Sequence, residues 1–130
     1  MDRKLYYKWL FMIGALWNWG AAIFFFFFSA QVFELLNMAP LNYSGVLQLA
    51  MTLVFALGVG YYFVSKDISI NHDIVKVGII GKTLAAAVLI YHYLIGNVHL
   101  LFVLCGIVDL LFAILFIEFL MAMKKGVVRV

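Results

Sequence analysis

Four apolar stretches, each long enough to cross a bilayer as a helix, constrain this chain more than anything else in it. They run from about Trp9 to Phe28, Ser44 to Ser65, Ile74 to Ile95 and Val98 to Met123. About 20 helical residues, at about 1.5 Å each, cross a hydrocarbon layer of ~30 Å. The runs are continuous rather than alternating, and lipid does not tolerate open sheet edges, so helices are expected rather than strands. The fold expected is all-α: an integral membrane four-helix transmembrane bundle, one domain over residues 1–130. Composition agrees, because 68% of residues are hydrophobic and 12% charged, against about half and about a quarter in soluble domains. A soluble fold of this size has no way to cover so much apolar surface.

Basic residues set the expected orientation. Arg3, Lys4 and Lys8 precede the first stretch, Lys66 and Lys76 flank the loop between the second and third, and Lys124, Lys125 and Arg129 follow the fourth. The other two connections, Ser29–Tyr43 and Gly96–Asn97, hold no Lys or Arg. This asymmetry predicts both termini and the middle loop in the cytoplasm, in a multi-pass protein of the cell (inner) membrane. The net charge of +3 is thus read as topology; no nucleic acid is expected as a partner, and membrane lipids are. Trp9–Phe28 exceeds the roughly 7–15 residues of a signal-peptide core, so it is read as a retained helix although Ser29-Ala30 resembles a cleavage site. Ser29–Tyr43 is longer than a turn needs, and Gln31–Leu36 within it is expected to form a short interfacial helical segment stopped by Asn37 and Pro40. Tyr43, Tyr91, Tyr93 and His99 are assigned to the outer aromatic belt, and Tyr6, Tyr7, Trp9, Tyr61 and Tyr62 to the inner one.

Two charges stand where charge is expensive: Lys82 in GIIGKTLAAA and Asp109 in CGIVDLLFAI. Counted from the turn at Gly96-Asn97, they differ in height by ~3 Å. Each lies in a stripe of small residues, which let membrane helices approach closely. Gly78, Ala85 and Ala86 surround Lys82; Cys105, Gly106 and Ala113 surround Asp109; Gly14, Ala15, Ala21 and Ala22 surround Asn18 on the first helix. Ser44, Gln48 and Thr52 make a polar stripe on the second. An interior cluster of Asn18, Thr52, Lys82 and Asp109, with Gln48 above it, is expected. Two plainer readings stay open: a pair that only fixes helix register, or Lys82 snorkelling toward the cytoplasmic interface while a protonated Asp109 bonds Asn18 or Thr52.

Other residues suggest less. Glu118 is expected to pair with Lys124, Lys125 or the basic N-terminus. His92 and His99 have no recognised metal-ligand spacing. The single cysteine, Cys105, excludes an intrachain disulfide and a Cys-x-x-Cys motif. No phosphate loop, nucleophile elbow or zinc motif occurs, so no catalytic residue, metal or cofactor is assigned.

Asn18-Trp19-Gly20, Gly58-Val59-Gly60-Tyr61, Asp67, Gly81-Lys82 and Asp109, set in four helices with a long first outer loop, resemble the DoxX-like family of small four-helix bacterial membrane proteins. The resemblance implies a membrane subunit, in some members linked to quinone-dependent redox chemistry. The function read from the residues is a membrane module that binds a lipid-like or quinone-like small molecule through Asn18, Gln48, Thr52, Lys82 and Asp109. Two alternatives accompany it. One is a structural or assembly subunit of a larger membrane complex, suggested by the Phe24–Phe28 run and the basic edges. The other is a dimeric proton-coupled small transporter using the Lys82–Asp109 pair.

Overall fold

A computed structural model describes residues 2–128 of the chain. Arg129, counted above among the basic flanks, lies outside the described residues. The chain forms four helices: α1 (Arg3–Leu35), α2 (Ser44–Lys66), α3 (His72–Leu94) and α4 (Leu100–Lys124). All four are long and apolar enough to cross a membrane. At 23 residues, α2 and α3 are each ~35 Å long, slightly more than the ~30 Å hydrocarbon core.

The helix ends follow local chemistry. The Asp2 carboxylate accepts from the Lys4 backbone N–H, and His99 Nδ1 accepts from that of Leu101 at 3.0 Å, so each caps a helix start. Helix α3 stops at Gly96, whose φ of +83° suits a residue without Cβ; the Asn97 N–H then reaches back to the His92 carbonyl at 2.7 Å.

The largest departure from expectation is in α1. It does not stop at Phe28 but breaks there, at φ −121° and ψ 15°, and runs on to Leu35. The expected short segment after Ser29 is therefore the post-kink arm of α1 rather than a separate element. Val32 and Phe33 on this arm are buried, and Phe33 meets Phe102 near the start of α4 with ring centroids 6.1 Å apart. The arm ends where expected, with Asn37 at a positive φ of 56°.

The four helices pack as two tight hairpins, α1 on α2 and α3 on α4, with α2 also touching α3. In each hairpin the small-residue stripes face inward: Gly14, Ala15 and Ala22 on α1, Gly78 and Ala86 on α3, Gly106 and Ala113 on α4 are buried. A Cβ at Gly106 would lie 3.3 Å from the Ala86 backbone, and this close approach sets the spacing of the hairpin that carries Lys82 and Asp109.

The two halves of the bundle differ along its axis. The half nearest the termini is solid. Tyr7, Phe11, Tyr61, Val64, Val75, Phe116 and Phe119 are fully buried, and Phe11 stacks on Phe116 at 4.7 Å. Tyr7 and Tyr61, assigned from sequence to the inner aromatic belt, are core residues instead. At the outer edge of this half, Glu118 accepts hydrogen bonds from Tyr7 Oη at 2.6–2.7 Å and pairs with Arg3 at 2.9 Å, so its partner is the basic N-terminus. Every described Lys and Arg except Lys82 belongs to the ends of helices or loops on this side. The other half is hollow.

Candidate functional site

The hollow begins at Lys82. Its ammonium is 2.9 Å from Asp109 Oδ1 and donates to Asn18 Oδ1 at 3.0 Å. Lys82 and Asn18 are each 5% exposed, and the Asp109 side chain is 19% exposed. The Asn18 amide in turn donates to the Val54 carbonyl at 3.1 Å, which ties α1 to α2 at this depth. Three helices thus contribute one polar side chain each, Lys82 and Asp109 from the hairpin whose backbones approach closely at Ala86 and Gly106. Snorkelling of Lys82 is excluded by this geometry, since the head group lies against Asp109 in the interior.

Three further residues complete the site, and sequence reasoning did not assign them to it. The Trp17 indole N–H donates to Asp109 Oδ1 at 3.1 Å. The ammonium of Lys82 also lies over two aromatic rings, 5.4 Å from the Tyr61 centroid and 5.1 Å from that of Phe112. These rings offer their negative faces to the cation and shield it from the apolar surroundings. Tyr61 fits there because α3 carries Gly78, one turn from Lys82. A Cβ at that position would lie 2.6 Å from the Tyr61 hydroxyl oxygen.

Thr52 and Gln48 are not in the cluster. Thr52 is exposed, and its hydroxyl donates to the Leu49 carbonyl of its own helix at 2.6 Å. Threonine can satisfy itself in this way within a membrane helix, so its polarity carries no information about which way it faces. Gln48 donates to the Phe26 carbonyl at 3.4 Å, next to the break in α1. Its amide supplies a partner near the point where the kink disturbs the helical ladder, a supporting rather than a ligand-facing position. The Ser44–Gln48–Thr52 stripe is therefore not the interior face of α2. That face carries Leu47, Met51, Val54, Leu57 and Tyr61. His92 and His99 serve the α3–α4 turn: the Asn97 amide lies 3.2 Å from His92 Nδ1, and His99 is the cap already described.

Above the polar cluster lies a cavity of about 500 Å³. Lys82, Asp109, Asn18, Trp17 and Tyr61 form one end, and the walls beyond them are apolar. From Asn18 to Phe25, from Lys82 to Leu89 and from Asp109 to Phe102, each wall runs two helical turns, or ~10 Å. Phe25, Phe33 and Phe102 close the far end, with Phe25 and Phe102 5.6 Å apart. On the α3 side the wall includes Leu84, Ala85 and Val88, all exposed on the bundle surface. The cavity therefore reaches the bundle surface beside α3, on a face that lipid would cover.

The hydrogen-bonding capacity at the closed end is incompletely used. An ammonium carries three N–H groups, and Lys82 uses two on protein oxygens. Asp109 Oδ1 accepts from both Lys82 and Trp17, while Oδ2 accepts from none of the described residues. One donor and one acceptor of the ion pair are left at the head of an apolar cleft, beside the Tyr61 hydroxyl, which is buried with no partner among the described residues. Among the described residues no cluster of three or more His, Cys, Asp or Glu side chains is positioned to hold a metal.

Fold and site together define a small four-helix protein with membrane-span-capable helices and a buried ion pair at its centre. No protein-family model, curated protein or solved structure matches the chain.

Proposed function

We propose that this protein is a multi-pass membrane module that binds an amphipathic, lipid-like or quinone-like molecule in its interior. The observation that carries the reading is the cavity above Lys82 and Asp109, which has apolar walls, a polar end and a lateral opening. At about 500 Å³ it falls within the usual range of small-molecule sites, roughly 300–1,000 Å³. An ionisable pair inside a membrane is expensive, and such groups commonly mark a ligand or ion path. The head of the molecule meets Lys82, Asp109, Asn18 and Trp17, and its tail lies along Phe25, Leu47, Val88 and Phe102. The termini and the α2–α3 loop face the cytoplasm, supported by the gathering of Lys and Arg at that end. The DoxX-like resemblance and its link to quinones point the same way.

Native mass spectrometry of the protein in mild detergent tests this. Wild type is expected to retain a small molecule that Lys82→Met and Asp109→Asn lose. Wild type that is always bare, or variants that retain the same molecule, would overturn the reading. A bare protein found only with other chains would favour an assembly subunit.

A further inference from the structure

We infer that the ligand of this cavity is electrically neutral: a single-chain lipid with an uncharged oxygen head, an alcohol or its carbonyl counterpart, rather than a carboxylate or phosphate lipid. The inference rests on the proposed binding function and specifies its chemistry.

The argument begins with charge. Lys82 and Asp109 face the cavity, and no other ionisable side chain at its polar end carries charge near neutrality. The pair sums to zero. A carboxylate or phosphate entering beside Lys82 would also come within a few ångströms of Asp109 Oδ2, in surroundings that screen poorly. Its attraction to the cation would be cancelled by repulsion from the anion, and it would have shed its hydration without compensation. A cationic head meets the same difficulty with the signs reversed. A hydroxyl matches the two unused groups: its oxygen accepts the third Lys82 N–H, and its own O–H donates to Asp109 Oδ2. A carbonyl uses the first of these and leaves the second idle.

Size and access specify the rest. With roughly 30 Å³ for each water-sized group, a space of about 500 Å³ holds about 17 non-hydrogen atoms. That is one small head and one chain. The cavity reaches the surface past Leu84, Ala85 and Val88 of α3, a face that the bilayer covers if the helices span it, so the ligand arrives from the membrane and needs no aqueous route.

The test uses the wild-type chain with two probes that share a sixteen-carbon tail, hexadecanol and palmitate. Each is titrated into delipidated protein in alkaline buffer, where palmitate is ionised, and read by native mass spectrometry. Hexadecanol is expected to bind about tenfold or more tightly than palmitate, given the cost of an uncompensated charge at this depth. In Asp109→Asn the cavity keeps Lys82 alone, and the preference is expected to shift toward palmitate by a similar factor. Palmitate binding wild type as well as hexadecanol does, or better, overturns the neutral-ligand inference while leaving the binding function standing. If neither probe binds wild type, the binding function itself fails.

Discussion

Removing Lys82 alone should damage this protein, and removing Lys82 and Asp109 together should damage it less. The two charged atoms are 2.9 Å apart, and Lys82 is 5% exposed. With an effective dielectric constant near 20, the attraction at that distance is about 6 kcal/mol. It offsets a desolvation cost of several kcal/mol for each ion, so the intact pair contributes little net stability. Lys82→Met removes the attraction and leaves Asp109 with only the Trp17 indole as donor, while Asn18 Oδ1 loses its partner. Stranding one member of a buried pair costs about 3–5 kcal/mol. Unfolding in a denaturing detergent lets both charges reach water, so that cost is read in full. In the double variant Lys82→Met/Asp109→Leu no charge is stranded, although the Trp17 N–H and Asn18 Oδ1 lose a partner, so stability should recover to within about 1–3 kcal/mol of wild type. The assay is reversible unfolding in mixed micelles across this double-mutant cycle. Single variants that each cost less than about 1 kcal/mol, or a double variant whose cost is the sum of the singles, would show that the pair is not a buried, mutually compensating one.

Three other outcomes follow from the same geometry. Tyr61→Phe should be neutral or stabilise the fold by up to about 1 kcal/mol, because the buried Tyr61 hydroxyl has no hydrogen-bond partner among the described residues; a loss of more than that in the unfolding assay would assign the hydroxyl a partner. Tyr7→Phe should cost about 1.5–3 kcal/mol, since it removes a buried donor to a carboxylate, whereas Arg3→Ala should cost less than about 1 kcal/mol, because Arg3 and Glu118 are both half exposed. The reverse order would place the strength of the cluster in the ion pair. The Asp67 carboxyl is held below the usual carboxylate range by the Ser69 hydroxyl and then its backbone N–H. Its contribution to stability is therefore full above the unfolded value of about 3.9 and is lost as pH falls through the lower folded value. Asp67→Asn should flatten the acid limb of stability against pH, and an unchanged limb would refute that role.

The helices and the central pair are legible in the amino-acid sequence because both follow from cost. Backbone groups in lipid must bond within their own helix, and two opposite charges at equal depth on neighbouring helices have strong reason to meet. The rest of the site was less legible. Trp17 precedes Asn18 by one residue, so it lies about a quarter-turn away from the stripe of small residues and reaches Asp109 only through the length of its indole. Tyr61 was read as an interfacial tyrosine, and its placement near helix ends gave no sign of burial. The available clue is Gly78 on α3, which leaves room for the Tyr61 ring. Thr52 failed for a general reason. In a membrane helix a threonine hydroxyl bonds its own backbone, so a polar stripe of such residues does not mark the interior face.

The asymmetry along the bundle also bears on what the protein holds. If a space of about 500 Å³ were left unfilled, its apolar walls would forfeit their packing contacts on the cavity side. Because the cavity reaches the surface beside α3, the chains of a surrounding bilayer would be the nearest material to enter it. A bare hydrocarbon tail satisfies the walls but not the closed end, where one Lys82 N–H and Asp109 Oδ2 stay without partners. A tail that carries an oxygen head satisfies both. The aromatic packing around Phe11, Phe116 and Phe119 closes the terminal half, and Phe33, brought over by the kink in α1, covers the other end. The exposed edge beside α3 is the route these contacts leave, so under the proposed binding function the Lys82–Asp109 pair would select among molecules already dissolved in the membrane.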